Sequence, residues 1–286
     1  MDMGVFGAGP QVMGIVNVTP DSFSDGGRFS GPQQAIDAGV RIVEEGADLV
    51  DVGGESTRPG SEPVPLDEEL RRVMPVVEGL CRAGLRVSID TYKSRVAKEA
   101  VDAGALVVND VRALAEEGMA EVCARSGCTV CLMHMRGRPA TMQRDPSYRD
   151  VAGEVRSFLM ERAELAQAAG IQRARIWIDP GIGFGKTDEH NLTLIGNLDA
   201  FVGTGFPVLL GVSRKGFIGR ILGDVGHPAP IADRLPGTLT IHVVSLMAGV
   251  QVLRTHDVRE AVAVVKMMRA LGIEGPRPSR SSNALI

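Results

Sequence analysis

The chain lacks much of what marks several protein classes. It has four cysteines in 286 residues, too few to staple a fold of this size with disulfides. Cys128 and Cys131 form a C-x-x-C, but on a strand that spacing points the two side chains to opposite faces. No second cysteine pair or histidine cluster completes a zinc site. Cys81, Cys123, Cys128 and Cys131 are therefore read as buried, reduced thiols. No apolar run is long enough to span a bilayer, and residues 1–11 contain no basic segment followed by an apolar core, so a cytoplasmic protein is expected. An excess of basic residues is missing too. The formal net charge is −4, so no broad positive field recruits nucleic acid, and an anionic small molecule needs a local basic cluster instead.

What is present is ordinary for a globular protein, with 44% hydrophobic and 23% charged residues, and is enough for one large domain. Eight short apolar segments, at 12–17, 49–53, 86–90, 106–109, 130–134, 176–179, 208–213 and 250–254, are shaped like buried strands. Nearly all are followed by helical periodicity, among them 32–46, 93–103, 113–126, 151–169, 234–249 and 258–271. Strands alternating with helices form parallel sheets covered on both faces, and eight of them predict a single-domain (β/α)8 TIM barrel over 12–273. Residues 1–11 are then a short extension and 274–286, rich in Pro, Ser and Arg, a disordered tail. The stretch 224–233, with Gly226, Pro228 and Pro230, reads as a surface insertion.

In a barrel the C-terminal strand ends surround one mouth, where active sites are built. Here those ends carry Asn17, Asp51, Asp90, Asn109, His134, Asp179, Ser213 with Lys215, and Arg254 with His256. Two long loops, 18–31 and 54–65, rise near the same rim and are read as mobile covers.

Asp179 is followed by Pro-Gly-Ile-Gly-Phe-Gly-Lys. A phosphate-loop reading fails, because Pro180 stands where the Walker pattern needs its first glycine. The glycines instead predict a turn that holds Asp179 inward and presents Phe184. Asp90, Asn109 and Asp179 together offer carboxylate and amide groups to one flat ligand, with Lys215 for an acceptor oxygen; a fused heterocycle suits such a floor. Ser213-Arg214-Lys215 and Arg254-Thr255-His256 bring basic groups to adjacent strand ends, the second beside a helix start, where phosphate or pyrophosphate is the natural guest. Arg254 has an alternative use, as the partner of a carboxylate. Asn17, next around the barrel, offers an oxygen to a hard cation such as Mg2+, which uses few protein ligands.

Taken together, these motifs resemble the pterin-binding family, and within it the dihydropteroate synthases. The matching runs are Asn17 to Gly27, Glu55 to Gly60, Ser88 to Thr91, Asn109-Asp110, Asp179 to Lys186, Ser213 to Lys215 and Arg254 to Val258. The resemblance implies a transferase of folate biosynthesis that joins 7,8-dihydropterin-6-ylmethyl pyrophosphate to p-aminobenzoate, releasing pyrophosphate. It implies that Asp90, Asn109, Asp179 and Lys215 hold the pterin, and that Asn17 meets Mg2+ and pyrophosphate. Arg254 and His256 would bind pyrophosphate. Thr57, Arg58, Pro59, Phe184, Ser213 and Lys215 would surround p-aminobenzoate, and Asp21 and Phe23 would join Arg58, Lys215 and Arg254 in the closed, catalytic arrangement. A homodimer and sulfonamide sensitivity are also implied. Departures are few: Gly216 and Thr255 replace residues more common in the family, and 224–233 is long. Two other readings share the pterin floor: a methyltransferase passing a methyl group from methyltetrahydrofolate to a corrinoid protein, and a non-catalytic paralogue.

Overall fold

All eight apolar segments form strands in the computed structural model, which describes residues 9–19, 31–56, 60–138 and 141–273. They are β1 (Gln11–Asn17), β2 (Leu49–Gly53), β3 (Val87–Asp90), β4 (Val107–Asp110), β5 (Thr129–Met133), β6 (Ile176–Asp179), β7 (Leu209–Gly211) and β8 (Val252–Thr255). Neighbours pair in parallel in the order β6-β5-β4-β3-β2-β1-β8-β7. The ring closes between the outer two, where Ile178 bridges Val208 and donates its N–H to Pro207 O at 2.9 Å. Closure removes both sheet edges, which would otherwise expose unpaired backbone groups.

The helices around it are α1 (Pro32–Glu44), α2 (Leu66–Arg82), α3 (Ser94–Asp102), α4 (Met119–Ser126), α5 (Val151–Ala168), α6 (Asp188–Gly196), α7 (Leu198–Val202), α8 (Gly216–Leu222), α9 (Leu235–Ala248) and α10 (Val258–Ala270). Two of the starts are capped by local side chains. Asp150 accepts from the N–H of Gly153 at 3.0 Å to cap α5, and Thr187 and His190 cap α6 reciprocally, each satisfying amides that a helix start leaves unpaired.

Two expectations are corrected. The helix foreseen at 113–126 begins only at Met119, because Ala113 and Leu114 take left-handed conformations with φ of 50° and 63°. The buried carboxylate of Asp110 stabilises that turn by accepting from the N–H groups of Arg112 (2.8 Å) and Leu114 (2.6 Å), a local side-chain bond that competes with helix. The seventh strand is shorter than 208–213, ending at Gly211 before Arg214 turns left-handed at φ 59°. The stretch 224–233 lies on the surface, with Val225 fully exposed.

Inside the barrel, Met13, Leu49, Val107, Cys131, Trp177, Leu209 and Val252 form a cluster separate from the core between strands and helices. Cys128 belongs to that outer core and Cys131 to the inner cluster, as the strand period requires. Alternate residues share a face, so two positions further along the same inward columns Leu49, Val107, Trp177 and Val252 give way to Asp51, Asn109, Asp179 and Arg254. An apolar plug thus seals the barrel directly beneath a polar mouth.

Candidate active site

Strand register aligns the ends of the first four strands. Asn17 pairs with Gly53, Gly53 with Asp90 and Asp90 with Asn109, so the ends of β1 to β4 form one side of the mouth. Asp179 of β6 and Arg254 of β8 complete it. Arg254 reaches across the barrel with its Nε 2.6 Å from Asp51 Oδ2 and its Nη2 2.6 Å from Asp90 Oδ2. The carboxylate pairing considered for Arg254 is therefore realised, with two partners at once. Burial works against the guanidinium charge, yet Asp51 and Asp90 outweigh it and raise the Arg254 pKa further, so the group is a permanent cation. Asn109 Nδ2 donates to Asp51 Oδ2 at 3.1 Å.

Asp90 and Asp179 both lie in low-dielectric surroundings. Burial pushes Asp90 well above the usual carboxylate range, with Arg254 opposing and Asp51 adding to the rise. Burial also raises Asp179, against the pull of Lys215 and of the Gly181 N–H, which donates to its Oδ1 at 2.7 Å. Lys215 is lowered to about 8, because burial disfavours its charge while Asp179 supports it. Its Nζ donates to Ile182 O and sits 4.3 Å from the centre of the Phe184 ring, a cation over an aromatic face. One mouth thus holds carboxylates and cations that shift one another, an arrangement concentrated at functional sites.

The glycine-rich turn after β6 has a packing reason. A Cβ at Gly181 would lie 1.9 Å from His134 O and one at Gly185 2.2 Å from Arg136 O, and both residues have positive φ. Only glycine lets this turn press against the segment after β5. Lys186, fully enclosed, locks the contact: its Nζ meets His134 Nδ1 at 2.9 Å, Gly181 O at 2.9 Å and Phe184 O at 3.1 Å. On the far side, Ser213 Oγ accepts from the His256 N–H at 3.1 Å and lies 3.0 Å from His256 Nδ1. This joins the strand ends of β7 and β8, and Arg214 paired with Asp257 at 3.1 Å reinforces the link.

Sequence reasoning missed a second network. Lys93 Nζ is 2.5 Å from Glu55 Oε2 and also contacts Glu69, Thr91 Oγ1 donates to Glu69 Oε1 at 2.7 Å, and Tyr92 OH donates to Glu55 Oε1 at 3.0 Å. Arg72 adds a bond to Gly54 O at 2.9 Å. These groups moor the stem of the loop after β2 to α2 and to the end of β3. No sequence motif marks Glu69 or Lys93, since the partners are distant in the chain. Asp21, Phe23, Thr57, Arg58, Pro59 and the 274–286 tail lie outside the described residues, as does most of the first long loop.

Residues 13–256 match the signature of pterin binding enzymes. The dihydropteroate synthase of Escherichia coli is 44% identical over 262 residues, 91% of each chain. The chain belongs to the dihydropteroate synthase family of pterin-binding enzymes. Solved members of the family share its shape. The Xanthomonas albilineans dihydropteroate synthase with 4-aminobenzoic acid superimposes with a TM-score of 0.85 at 45% identity, covering 92% of this chain and 93% of that one. The Yersinia pestis dihydropteroate synthase in a sulfonamide drug complex gives 0.85 at 43% identity, covering 92% and 94%.

Proposed function

We infer that this protein condenses 7,8-dihydropterin-6-ylmethyl pyrophosphate with p-aminobenzoate to give 7,8-dihydropteroate and pyrophosphate, a transferase step of folate biosynthesis. The observation that carries the reading is the polar mouth built on the barrel plug, in which a flat acceptor-rich floor lies beside a permanent cation. Asp90, Asn109 and Asp179 supply acceptors for the ring's N–H groups, and Lys215 donates to its oxygen. Arg254 and His256 take the pyrophosphate, beside the start of α10 and its unpaired amides. Phe184, Ser213 and Lys215, with Thr57, Arg58 and Pro59, bound the p-aminobenzoate site, and Asp21 and Phe23 belong to the closed state.

In this chemistry the carbon–oxygen bond to pyrophosphate breaks and the amine nitrogen of p-aminobenzoate bonds to the pterin methylene, losing a proton. Arg254 stabilises the charge growing on the leaving group, and the carboxylates of Asp90 and Asp179 favour positive character in the ring. No enzyme nucleophile is required. Mg2+ suits the chemistry of the site: Asn17 ends β1 beside the proposed pyrophosphate position and offers one oxygen. The cation would therefore be held by Asn17 together with pyrophosphate oxygens, and would supply charge neutralisation.

A methyltransferase reading has no use for a pyrophosphate site at Arg254 and His256 beside the pterin floor. We further propose a homodimer in the cytoplasm. Among the described residues no helix is long and apolar enough to cross a membrane. α8, the turn at 231–234 and α9 leave Ile221 (52%), Ile231 (52%) and Met247 (55%) exposed, the kind of apolar surface that a second copy covers. The deciding assay supplies Mg2+, the pterin ester and p-aminobenzoate and omits each in turn. Pyrophosphate release that requires all three, with dihydropteroate formed, is expected; no release from protein that still binds the ester would leave the non-catalytic reading.

A further inference from the structure

Asp51 is the deepest charged group of the mouth, with no solvent exposure. It sits two residues beyond Leu49 of the apolar plug and two short of the end of β2. Its Oδ2 accepts from Arg254 Nε and from Asn109 Nδ2, while its Oδ1 is buried with no hydrogen-bond partner among the described residues. A carboxylate so placed is costly unless its ion pair is retained. Asp90 differs. It stands at the end of β3, its side chain is 11% exposed, and it holds only the terminal Nη2 of Arg254.

We propose that Asp51 is a positioning residue for the condensation: the fixed acceptor that holds Arg254 by Nε and sets the direction of the Asn109 amide, while Asp90 exchanges Arg254 for the pterin ring. The inference rests on the pterin and pyrophosphate assignments made above. A guanidinium has five N–H donors in a rigid fork. Anchoring it at Nε leaves the terminal nitrogens for an anion, so the cation stays in place when Asp90 turns to the ring. Asn109 is constrained by the same oxygen. The bond takes one of the two N–H donors of the Asn109 amide, which fixes the plane and direction of the group. Its carbonyl oxygen and its second N–H are then presented to the ligand in set positions beside the acceptors of Asp90 and Asp179. With Asp51 lost, the amide can rotate and exchange donor for acceptor, which weakens discrimination between ring edges.

The test is Asp51→Asn, which keeps the shape and removes the charge, assayed with the pterin ester and, for binding alone, with the corresponding 6-hydroxymethyl pterin. The kcat/KM for the ester should fall by about 100-fold, and affinity for the hydroxymethyl pterin by about 10-fold. The KM for p-aminobenzoate should change by less than about 3-fold. In an Arg254→Ala background the ester effect should shrink to the loss seen with the hydroxymethyl pterin, because the part acting through Arg254 is already gone. Wild-type kinetics in Asp51→Asn, or the same loss with and without Arg254, would overturn the proposal. Where Asp51→Asn fails to melt cooperatively, Asp51→Glu keeps the charge and shifts it by one methylene; unchanged kcat/KM in that variant would equally overturn it. Absence of pyrophosphate release by the wild-type protein would instead reject the synthase reading itself.

Discussion

Lys186 Nζ lies 2.9 Å from Nδ1 of His134, joining the turn after β6 to the end of β5. The backbone carbonyls of Gly181 and Phe184 accept from it at 2.9 and 3.1 Å, and that of His134 at 3.4 Å. The amine therefore governs where the Phe184 ring stands, although it touches no proposed substrate position itself. Replacing Lys186 with Met leaves His134 Nδ1 and Phe184 O without this donor, at about 1 kcal/mol or more each, while Gly181 O keeps the Phe184 N–H. Chemical denaturation should show a loss of about 2 kcal/mol, and the KM for p-aminobenzoate should rise more than that for the pterin ester. Equal changes in the two would detach Lys186 from the Phe184 side.

His134 itself should stay neutral in the physiological range. Burial, with Lys186 and Arg136 nearby, lowers it to about 3, so its imidazole resonances should not titrate between pH 5 and 8. A midpoint near the ordinary value of about 6.5 would contradict the enclosed geometry.

Arg254→Ala should weaken binding of the pterin pyrophosphate ester far more than binding of the pterin alcohol, since only the ester presents an anion. The same change leaves Asp51 and Asp90 buried without their cation, at a cost of about 3–5 kcal/mol, readable as a lowered denaturation midpoint. Calorimetric titrations showing equal losses for both ligands would remove the pyrophosphate role. Asp179→Asn, by contrast, should impair binding of both pterins.

The two shifted groups of the floor predict a narrow pH range for pterin binding. Lys215 carries its proton below about 8, so affinity should decline as pH rises through that value and the charge is lost. Asp90 is raised by burial, so it takes up a proton, and ceases to accept from the ring, at a pH well above the ordinary carboxylate value. The profile should be bell-shaped, with its acid limb displaced upward. Constant affinity from pH 5 to 9.5 would show that neither ionisation is coupled to the ligand.

A sulfonamide should compete with p-aminobenzoate, because Phe184, Ser213 and Lys215 border the site that an arylamine would occupy. Initial-rate inhibition that p-aminobenzoate does not relieve would show that the drug, if it binds, binds elsewhere.

The barrel was legible in the order of its residues because its causes are local. A strand buried on both faces must be apolar, and the helix that follows must show a 3.6-residue period, so segments such as Leu49–Gly53 and Ile176–Asp179 declare themselves. Polar residues at the strand ends were equally visible, since each interrupts an apolar run at a predictable place. Partnership was not visible. Arg254 and Asp51 are 203 residues apart, and nothing near either states that they meet, or that Asn109 shares the same carboxylate. The helix beginning only at Met119 and the mooring of Glu55 by Lys93 and Tyr92 depend likewise on side-chain contacts that outweigh local propensity. Sequence alone determined the period, the number of strands and the chemical inventory of the mouth. Barrel closure and strand register decided which charges face one another, because burial makes each of them costly until a partner arrives from elsewhere in the chain.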